Sequence, residues 1–181
     1  MINFKILGLL FFNSILIYAS DSLPGDSIYH VADDWKNQFA QTVKLKSLEG
    51  QYVVMAMVYT SCQHTCPIIT EKLKRIQSGL SKNKKQKVHF VLVSFDPERD
   101  TPAVLKKHYD KHELSPKWSL LTGTLSGVRK LAAILGVNFK KESNGDFSHS
   151  NIISLLSPKG VILKQVKSLN EDTKVIENEI K

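Results

Sequence analysis

The stretch YVVMAMVYTSCQHTCPIITEKLKRI, residues 52–76, runs from an unbroken apolar segment through two cysteines into a helical repeat. The segment Tyr52 to Tyr59 is typical of a strand covered on both faces. After Pro67, apolar residues recur at helical spacing at Ile69, Leu73, Ile76 and Leu80. The stretch therefore predicts a strand, a turn that contains Cys62, and a helix with Pro67 in its first turn.

The same alternation of strand and helix extends on both sides of this stretch. Upstream, TVKLKSL (Thr42 to Leu48) alternates apolar and polar residues and predicts a strand. Downstream, VHFVLVSF (Val88 to Phe95) predicts a second buried strand. DTPAVLKKHYDKH follows it and predicts a helix, with Thr101 as the N-cap and Pro102 just inside.

The C-terminal half continues the pattern. Residues 118–121 predict a short strand, and Leu125, Val128, Leu131 and Leu135 mark a helix that Gly136 ends. NIISLLSPKGVILKQV predicts two strands joined by a turn, and a last helix is expected over residues 170–180. The pattern predicts an α/β fold, a thioredoxin-like sandwich with a central mixed sheet and helices on both faces.

The N-terminus, MINFKILGLLFFNSILIYAS, has one lysine before an apolar run that ends in small residues. The run is shorter than the roughly 20 apolar residues that cross a bilayer. It predicts a signal peptide over residues 1–20, with an uncleaved membrane anchor as the alternative. Residues 21–181 are then expected to form a single domain of the usual size in the periplasm or another extracytoplasmic compartment, where disulfides are tolerated.

The two cysteines, Cys62 and Cys66, are the only ones in the chain. They could form a structural disulfide, a redox couple or part of a metal site. If Cys66 opens the helix, residues at positions i and i+4 share a face, so both sulfurs can approach one ion. The helix N-terminus favours thiolate over thiol. A structural disulfide between residues so close would constrain the unfolded chain little, which disfavours that alternative.

A third metal ligand is sought among the six histidines: His30, His64, His89, His108, His112 and His149. His89 lies in a predicted strand, and His108 and His112 lie on a predicted helix, where a solvated or capped side chain is expected. His149 differs, because it lies in the polar segment NGDFSHS just before the strand NIISLL, where a connection can present a side chain above the sheet.

Several motifs occur in the order and at the separations typical of one known family. They are YTSCQHTCP, VSFDPERDTPAVLKKHY, WSLLTGT, LAAILGV and HSNIISLLSPKG. Over residues 43–160 the chain resembles the Sco/SenC family of copper proteins. That resemblance implies a thioredoxin-like fold, one copper ion bound by Cys62, Cys66 and His149, and a role in assembling the dinuclear copper centre of cytochrome c oxidase.

The donor chemistry agrees with copper. Two thiolates and one imidazole suit Cu(I), and Cu(II) could recruit a further ligand. A structural zinc site requires four protein ligands, and only His64 is near enough in sequence to complete one. Two positions depart from the common family pattern, the spacer Gln63-His64-Thr65 and Ser148 before His149. They concern the groups around the ligands, and His64 is expected to face solvent.

Two functions of different classes remain open, and whether the protein is an enzyme stays undecided between them. In the first, the protein is a copper chaperone that transfers the ion to an oxidase subunit or another copper protein. In the second, it is an extracytoplasmic thiol-disulfide reductase that acts through Cys62 and Cys66 and exchanges electrons with a thioredoxin-like partner. Thioredoxin-type reductases place a cis-proline opposite the dithiol, where this chain has His149 and Ser150, which favours metal binding.

The chain is basic, with a formal net charge of +8, much of it in KLKRIQSGLSKNKKQK, residues 72–87. Nucleic acid is excluded as a partner by export and by the lack of stacking aromatics in this stretch. A solvated helix face followed by a lysine-rich loop is the favoured interpretation. Attraction to an acidic partner or an anionic membrane surface is the alternative.

Overall fold

The computed structural model describes residues 22–181, so the predicted signal peptide lies outside the described residues. The strands of this part of the chain are β1 (Trp35–Asn37), β2 (Thr42–Val43), β3 (Tyr52–Val58), β4 (Val88–Ser94), β5 (Trp118–Gly123), β6 (Phe139–Lys141), β7 (Phe147–His149), β8 (Ile153–Leu156) and β9 (Ile162–Val166). Its α-helices are α1 (Thr65–Gly79), α2 (Lys82–Gln86), α3 (Pro102–Lys111), α4 (Leu125–Leu135) and α5 (Lys174–Glu179). Within residues 22–181, none of the helices is long and apolar enough to cross a bilayer.

Seven of the strands form one sheet, in the order β2-β1-β5-β4-β3-β8-β9. Strands β3, β4 and β5 are parallel, whereas β1 and β8 run antiparallel to the strands that they flank. Among the strands of residues 22–181, β6 and β7 pair only with each other and form a separate hairpin. The central strands β3 and β4 are buried almost throughout, as their continuous apolar runs predict. The mixed central sheet is confirmed.

Helices α1 and α4 cover opposite faces of this sheet. Phe90 of β4 is paired with Trp118 of β5, whose indole donates a hydrogen bond to Gln77 of α1 at 2.9 Å. On the adjacent row, Ser154 of β8 is paired with Gln165 of β9, whose amide donates to the carbonyl of Leu135 in α4. Because successive residues of a strand point to opposite faces, these two rows identify the two sides of the sheet. Helices on both faces are therefore confirmed.

Two predicted elements differ from the structure. Residues 42–48 were expected to be one strand, but the strand covers only Thr42–Val43, and Leu45–Leu48 forms a short 3-10 helix. The 3-10 turn buries Leu45 and Leu48 together, which alternation along a strand would not do. The last helix is also shorter than predicted, at Lys174–Glu179.

Candidate metal centre

The two cysteines lie where strand β3 passes into helix α1. Cys62 is in the connecting turn and Cys66 is in the first turn of α1, which begins at Thr65. Both thiols are free and buried, and Cys66 is the more enclosed. The backbone N–H of Cys66 donates to the Cys62 sulfur at 3.4 Å. The unsatisfied N–H groups of a helix start thus face a sulfur that can carry negative charge.

The two thiols differ in acidity because their surroundings differ. Burial by itself raises the pKa of Cys62, but hydrogen bonds from the backbone of Cys66 and His64 and from the side chains of Cys66 and Thr65 outweigh it and lower the pKa to about 6. Burial raises the pKa of Cys66 far above its usual range, and the neighbouring Cys62 adds to the rise. Without a metal, the pair is therefore one thiolate and one thiol at neutral pH.

His149 approaches the cysteines from the other side. It is the last residue of β7, and its Nε2 lies 3.7 Å from the Cys66 sulfur. Its Nδ1 lies 3.1 Å from the carbonyl oxygen of Ser150. A carbonyl only accepts hydrogen bonds, so Nδ1 carries the proton and Nε2 presents its lone pair towards the sulfurs. This tautomer leaves Nε2 available to bind a metal.

The two sulfurs and one nitrogen of His149 all lie within 4.8 Å of one another. No other group of three His, Cys, Asp or Glu side chains in residues 22–181 meets this condition. A metal that is bonded at about 2.1–2.3 Å to each of three donors holds them roughly 3.5–4 Å apart, so small side-chain movements suffice. The structure thus brings together the three residues that the sequence analysis singled out.

Thr65 is a contributor that the sequence analysis missed. Its hydroxyl lies 3.1 Å from His149 Nε2 and 3.7 Å from the Cys62 sulfur, between the two arms of the cluster. Its single hydrogen is donated either to His149 Nε2 or to the Cys62 sulfur, so in the metal-free protein Thr65 links the histidine to the cysteines. Thr65 lies in the spacer between the cysteines, but nothing in the sequence distinguishes it from Gln63 and His64.

The remaining histidines lie outside this cluster. His64 is exposed just before α1, as predicted. His89 is half-buried and bonded to the Ser119 hydroxyl at 2.8 Å. His108 and His112 were expected to be solvated or capped, but they are half-buried and their rings pack together with centroids 4.4 Å apart. The positions i and i+4 on α3 bring these rings into contact, and His112 also lies 3.8 Å from Glu71 of α1.

A buried carboxylate fixes the chain just before Cys62. Asp100 is fully buried and accepts hydrogen bonds from the backbone N–H of Thr60 at 3.0 Å, from the Thr60 hydroxyl and from the Ser94 hydroxyl. Three donors to one buried carboxylate balance the cost of its desolvation. The position of the turn that carries Cys62 is therefore set by the end of β4.

Comparison with known proteins adds three likenesses. The model of the family described as SCO1/SenC matches residues 32–181. A SCO1 protein homolog from Bacillus subtilis is 31% identical over 134 residues, which are 72% of this chain and 69% of that protein. The crystal structure of Arabidopsis thaliana ScoI with copper bound is 25% identical, with a TM-score of 0.71, over 81% of this chain and 91% of that one.

A second solved structure, a SCO1/SenC family lipoprotein from Bacillus anthracis, is 28% identical, with a TM-score of 0.72, over 80% of this chain and 89% of that one. Some relatives are much longer. The chain spans 48% of the length of the mitochondrial protein SCO1 of Saccharomyces cerevisiae. The thioredoxin-like fold is confirmed by these likenesses, and the prediction of copper agrees with the copper-bound relative.

Proposed function

The chain belongs to the SCO1/SenC family, and we propose that it is a copper chaperone that holds one copper ion through Cys62, Cys66 and His149. The convergence of these three donors carries the proposal. Its relatives include a SCO1 homolog and a ScoI protein with copper bound. We further propose that the copper is cargo, delivered to a copper-receiving protein in the assembly of cytochrome c oxidase.

The donor set fits copper better than zinc. Two thiolates and one neutral imidazole satisfy three-coordinate Cu(I), whereas a structural zinc site requires a fourth protein ligand. Within residues 22–181, no further His, Cys, Asp or Glu belongs to the cluster, and the exposed His64 is not part of it. We therefore favour copper, with Cys62 and Cys66 as the soft ligands and His149 as the third.

Transfer of cargo requires ligands that can be exchanged. The Cys62 sulfur lies nearer the surface than the Cys66 sulfur, and His149 lies on a hairpin outside the main sheet. A recipient's thiolate or imidazole can replace these ligands one at a time, so that copper does not pass through water. The positive net charge of the chain, +8, would attract an acidic recipient or an anionic membrane surface.

We propose an extracytoplasmic location. The predicted signal peptide, or a membrane anchor in its place, supports export. One related structure is a family lipoprotein, and other relatives are named mitochondrial. A compartment outside the cytoplasm would also allow Cys62 and Cys66 to alternate between dithiol and disulfide.

The test is anaerobic Cu(I) binding to the reduced protein in competition with a chelator. Wild type should bind one copper, and His149→Ala should weaken binding by more than about 10-fold, since a ligand contributes at least as much as the groups that support it. His64→Ala is the matched control, because it removes an exposed imidazole next to Cys66 and should leave the affinity unchanged. If His149→Ala binds copper as tightly as wild type, the three-ligand site is wrong.

The unequal thiols favour a second candidate, a thiol-disulfide reductase. The Cys62 thiolate would attack a substrate disulfide and release one substrate thiolate, and Cys66 would then attack the mixed disulfide and release the other. The products are a reduced substrate and a Cys62–Cys66 disulfide, which a thioredoxin-like dithiol must reduce again. Turnover of a disulfide substrate by such a reductant, abolished in Cys62→Ser and unaffected in His149→Ala, distinguishes this activity from copper delivery.

A further inference from the structure

The motif DPERD, Asp96 to Asp100, supplies none of the three proposed copper ligands, but two of its carboxylates are buried. Asp100 holds the Thr60 end of the dithiol turn. Asp96 accepts a hydrogen bond from Arg99, whose guanidinium is partly exposed and faces the hairpin of β6 and β7. The motif therefore lies between the two segments that supply the copper ligands.

The hairpin that carries His149 is attached to the body by its side chains. In residues 22–181 its strands pair only with each other, and the other main-chain hydrogen bonds of residues 138–150 also stay within that segment. Phe139 and Phe147 pack on Phe95, with ring centroids 5.2 Å away in both cases. Within residues 22–181, only the chain connections to α4 and β8, and no main-chain hydrogen bond, restrain the hairpin relative to the cysteines, so side chains must contribute.

Arg99 adds a polar connection to this aromatic packing. Its Nη2 donates to the carbonyl oxygen of Gly145, at the hairpin turn, at 2.8 Å. Its guanidinium carbon lies 5.6 Å from the ring centroid of Phe147, in β7, and 5.8 Å from that of Tyr59, at the end of β3. The ion pair with Asp96 fixes the other edge of the same planar group. The Arg99 side chain thus connects the segment that follows β4, the end of β3 before the cysteine turn, and the hairpin.

We infer that Arg99 is a positioning residue for the copper site, one that holds the His149 hairpin over Cys62 and Cys66 without touching the ion. The inference rests on the proposed function, since it assumes that His149 is a copper ligand. Only arginine provides a flat group with donors on several edges and a face for aromatic rings. Lysine keeps the charge but cannot bond to Asp96 and Gly145 in the same fork geometry.

A neighbouring ion pair provides the matched control. Lys141 of β6 bonds to Glu98 at 3.0 Å and joins the same hairpin to the same turn, but both side chains are largely exposed. Exposed pairs of this kind contribute little to stability. Lys141→Ala removes one positive charge from the same region, as Arg99→Ala does, and leaves the Arg99 contacts in place.

The experiment measures Cu(I) affinity in Arg99→Ala, Arg99→Lys and Lys141→Ala, each with and without His149→Ala. Arg99→Ala should weaken binding by about 10-fold, Arg99→Lys by less, and Lys141→Ala by no more than about 2-fold. In the His149→Ala background, Arg99→Ala should cause no further loss, because its effect passes through His149. The nitrogen hyperfine signal of the Cu(II) form should weaken in Arg99→Ala and should be unchanged in Lys141→Ala.

A second readout needs no copper. In the metal-free protein, amide hydrogen exchange in residues 139–149 should be about 10-fold faster in Arg99→Ala than in wild type, and unchanged in Lys141→Ala. Wild-type copper affinity in Arg99→Ala would overturn the inference, and so would an equal loss in the His149→Ala background, which would indicate a general effect on folding. Neither result touches the proposed function, which fails only if His149→Ala itself binds copper normally.

Discussion

The two halves of the copper site are held in different ways. Cys62 and Cys66 lie between the buried central strand β3 and the helix that follows it, where main-chain hydrogen bonds and the Asp100 carboxylate fix the turn. His149 lies on a two-stranded hairpin outside the main sheet, which aromatic packing and Arg99 hold against the body. The dithiol is part of the folded core, whereas the imidazole is attached to it.

This difference suggests a division of labour in copper transfer. A preformed pair of sulfurs limits the reorganisation that binding requires, because the ligands need not be gathered from a flexible loop. A separately held imidazole can leave the ion without disturbing the core, since local movements cost less than global unfolding. The following predictions each perturb one of the two regions.

The largest expected effect comes from Asp100→Asn in the body. The substitution replaces one carboxylate oxygen by an NH₂ group that cannot accept hydrogen bonds, in a site with three donors. The free energy of unfolding in urea should fall by about 2–4 kcal/mol, because buried donors lose their acceptor. Asp110→Asn is the control, since Asp110 forms an exposed pair with Lys106 and its loss should cost less than about 0.5 kcal/mol.

The same variant tests whether the dithiol turn depends on this carboxylate. In Asp100→Asn, amide exchange at residues 60–62 should accelerate more than exchange in the hairpin, which Asp100 does not contact. If both segments loosen equally, the two halves of the site are one cooperative unit, and the comparison drawn above is wrong.

A smaller effect per residue is expected from pH, which acts on the body through two half-buried histidines. Burial, aided by Lys117, lowers the pKa of His89 to about 4, and burial, aided by His112 and Lys111, lowers the pKa of His108 to about 4. The unfolded chain binds these protons below about pH 6.5, whereas the folded chain binds them only near pH 4. Stability should therefore be complete above pH 6.5 and should fall as the pH drops towards 4.

After allowance for partial exposure, each histidine should account for about 2 kcal/mol of this loss. Urea unfolding of the metal-free protein at several pH values measures it. His89→Gln and His108→Gln should each flatten the pH dependence, because the titrating group is gone. An unchanged slope in both variants would mean that the acid sensitivity arises from other groups.

The sequence predicted the body of the molecule well, for reasons that are local. Continuous apolar runs define β3 and β4, Thr101 caps α3 by accepting from the N–H of Val104, and Gly136 ends α4 with a positive φ of 67°. These signals depend on residues within a few positions of one another. For the same reason the spacing of Cys62 and Cys66 predicted that the two thiols share one end of a helix.

The rest of the site depends on contacts between distant residues, which local patterns do not encode. His149 is 83 residues from Cys66, and only the family resemblance singled out this histidine as a ligand. The hairpin was expected to be a polar loop, because its three-residue strands contain lysines and show no clear alternation. The bond from Arg99 to Gly145, 46 residues away, has no sequence signal.

The smallest expected effect concerns the hairpin turn. Gly145 has a positive φ of 85°, and the nearest side-chain atom to an added Cβ is 4.0 Å away, on Arg99. Gly145→Ala should therefore cost only backbone strain, about 1 kcal/mol, without a steric clash. Because the hairpin is not hydrogen-bonded into the sheet, this strain should loosen residues 139–149 and leave global unfolding in urea almost unchanged.

The free-energy cost of that local strain can be measured as a change in Cu(I) affinity. If the hairpin must close for His149 to bind the ion, a cost of about 1 kcal/mol should weaken Cu(I) binding by roughly 5-fold. Ser143→Ala, in the same turn, is the control and should change neither exchange nor affinity. A Gly145→Ala protein that loses global stability but keeps its copper affinity would contradict the picture, since the hairpin would then belong to the cooperative core and the imidazole would be as firmly preset as the two thiols.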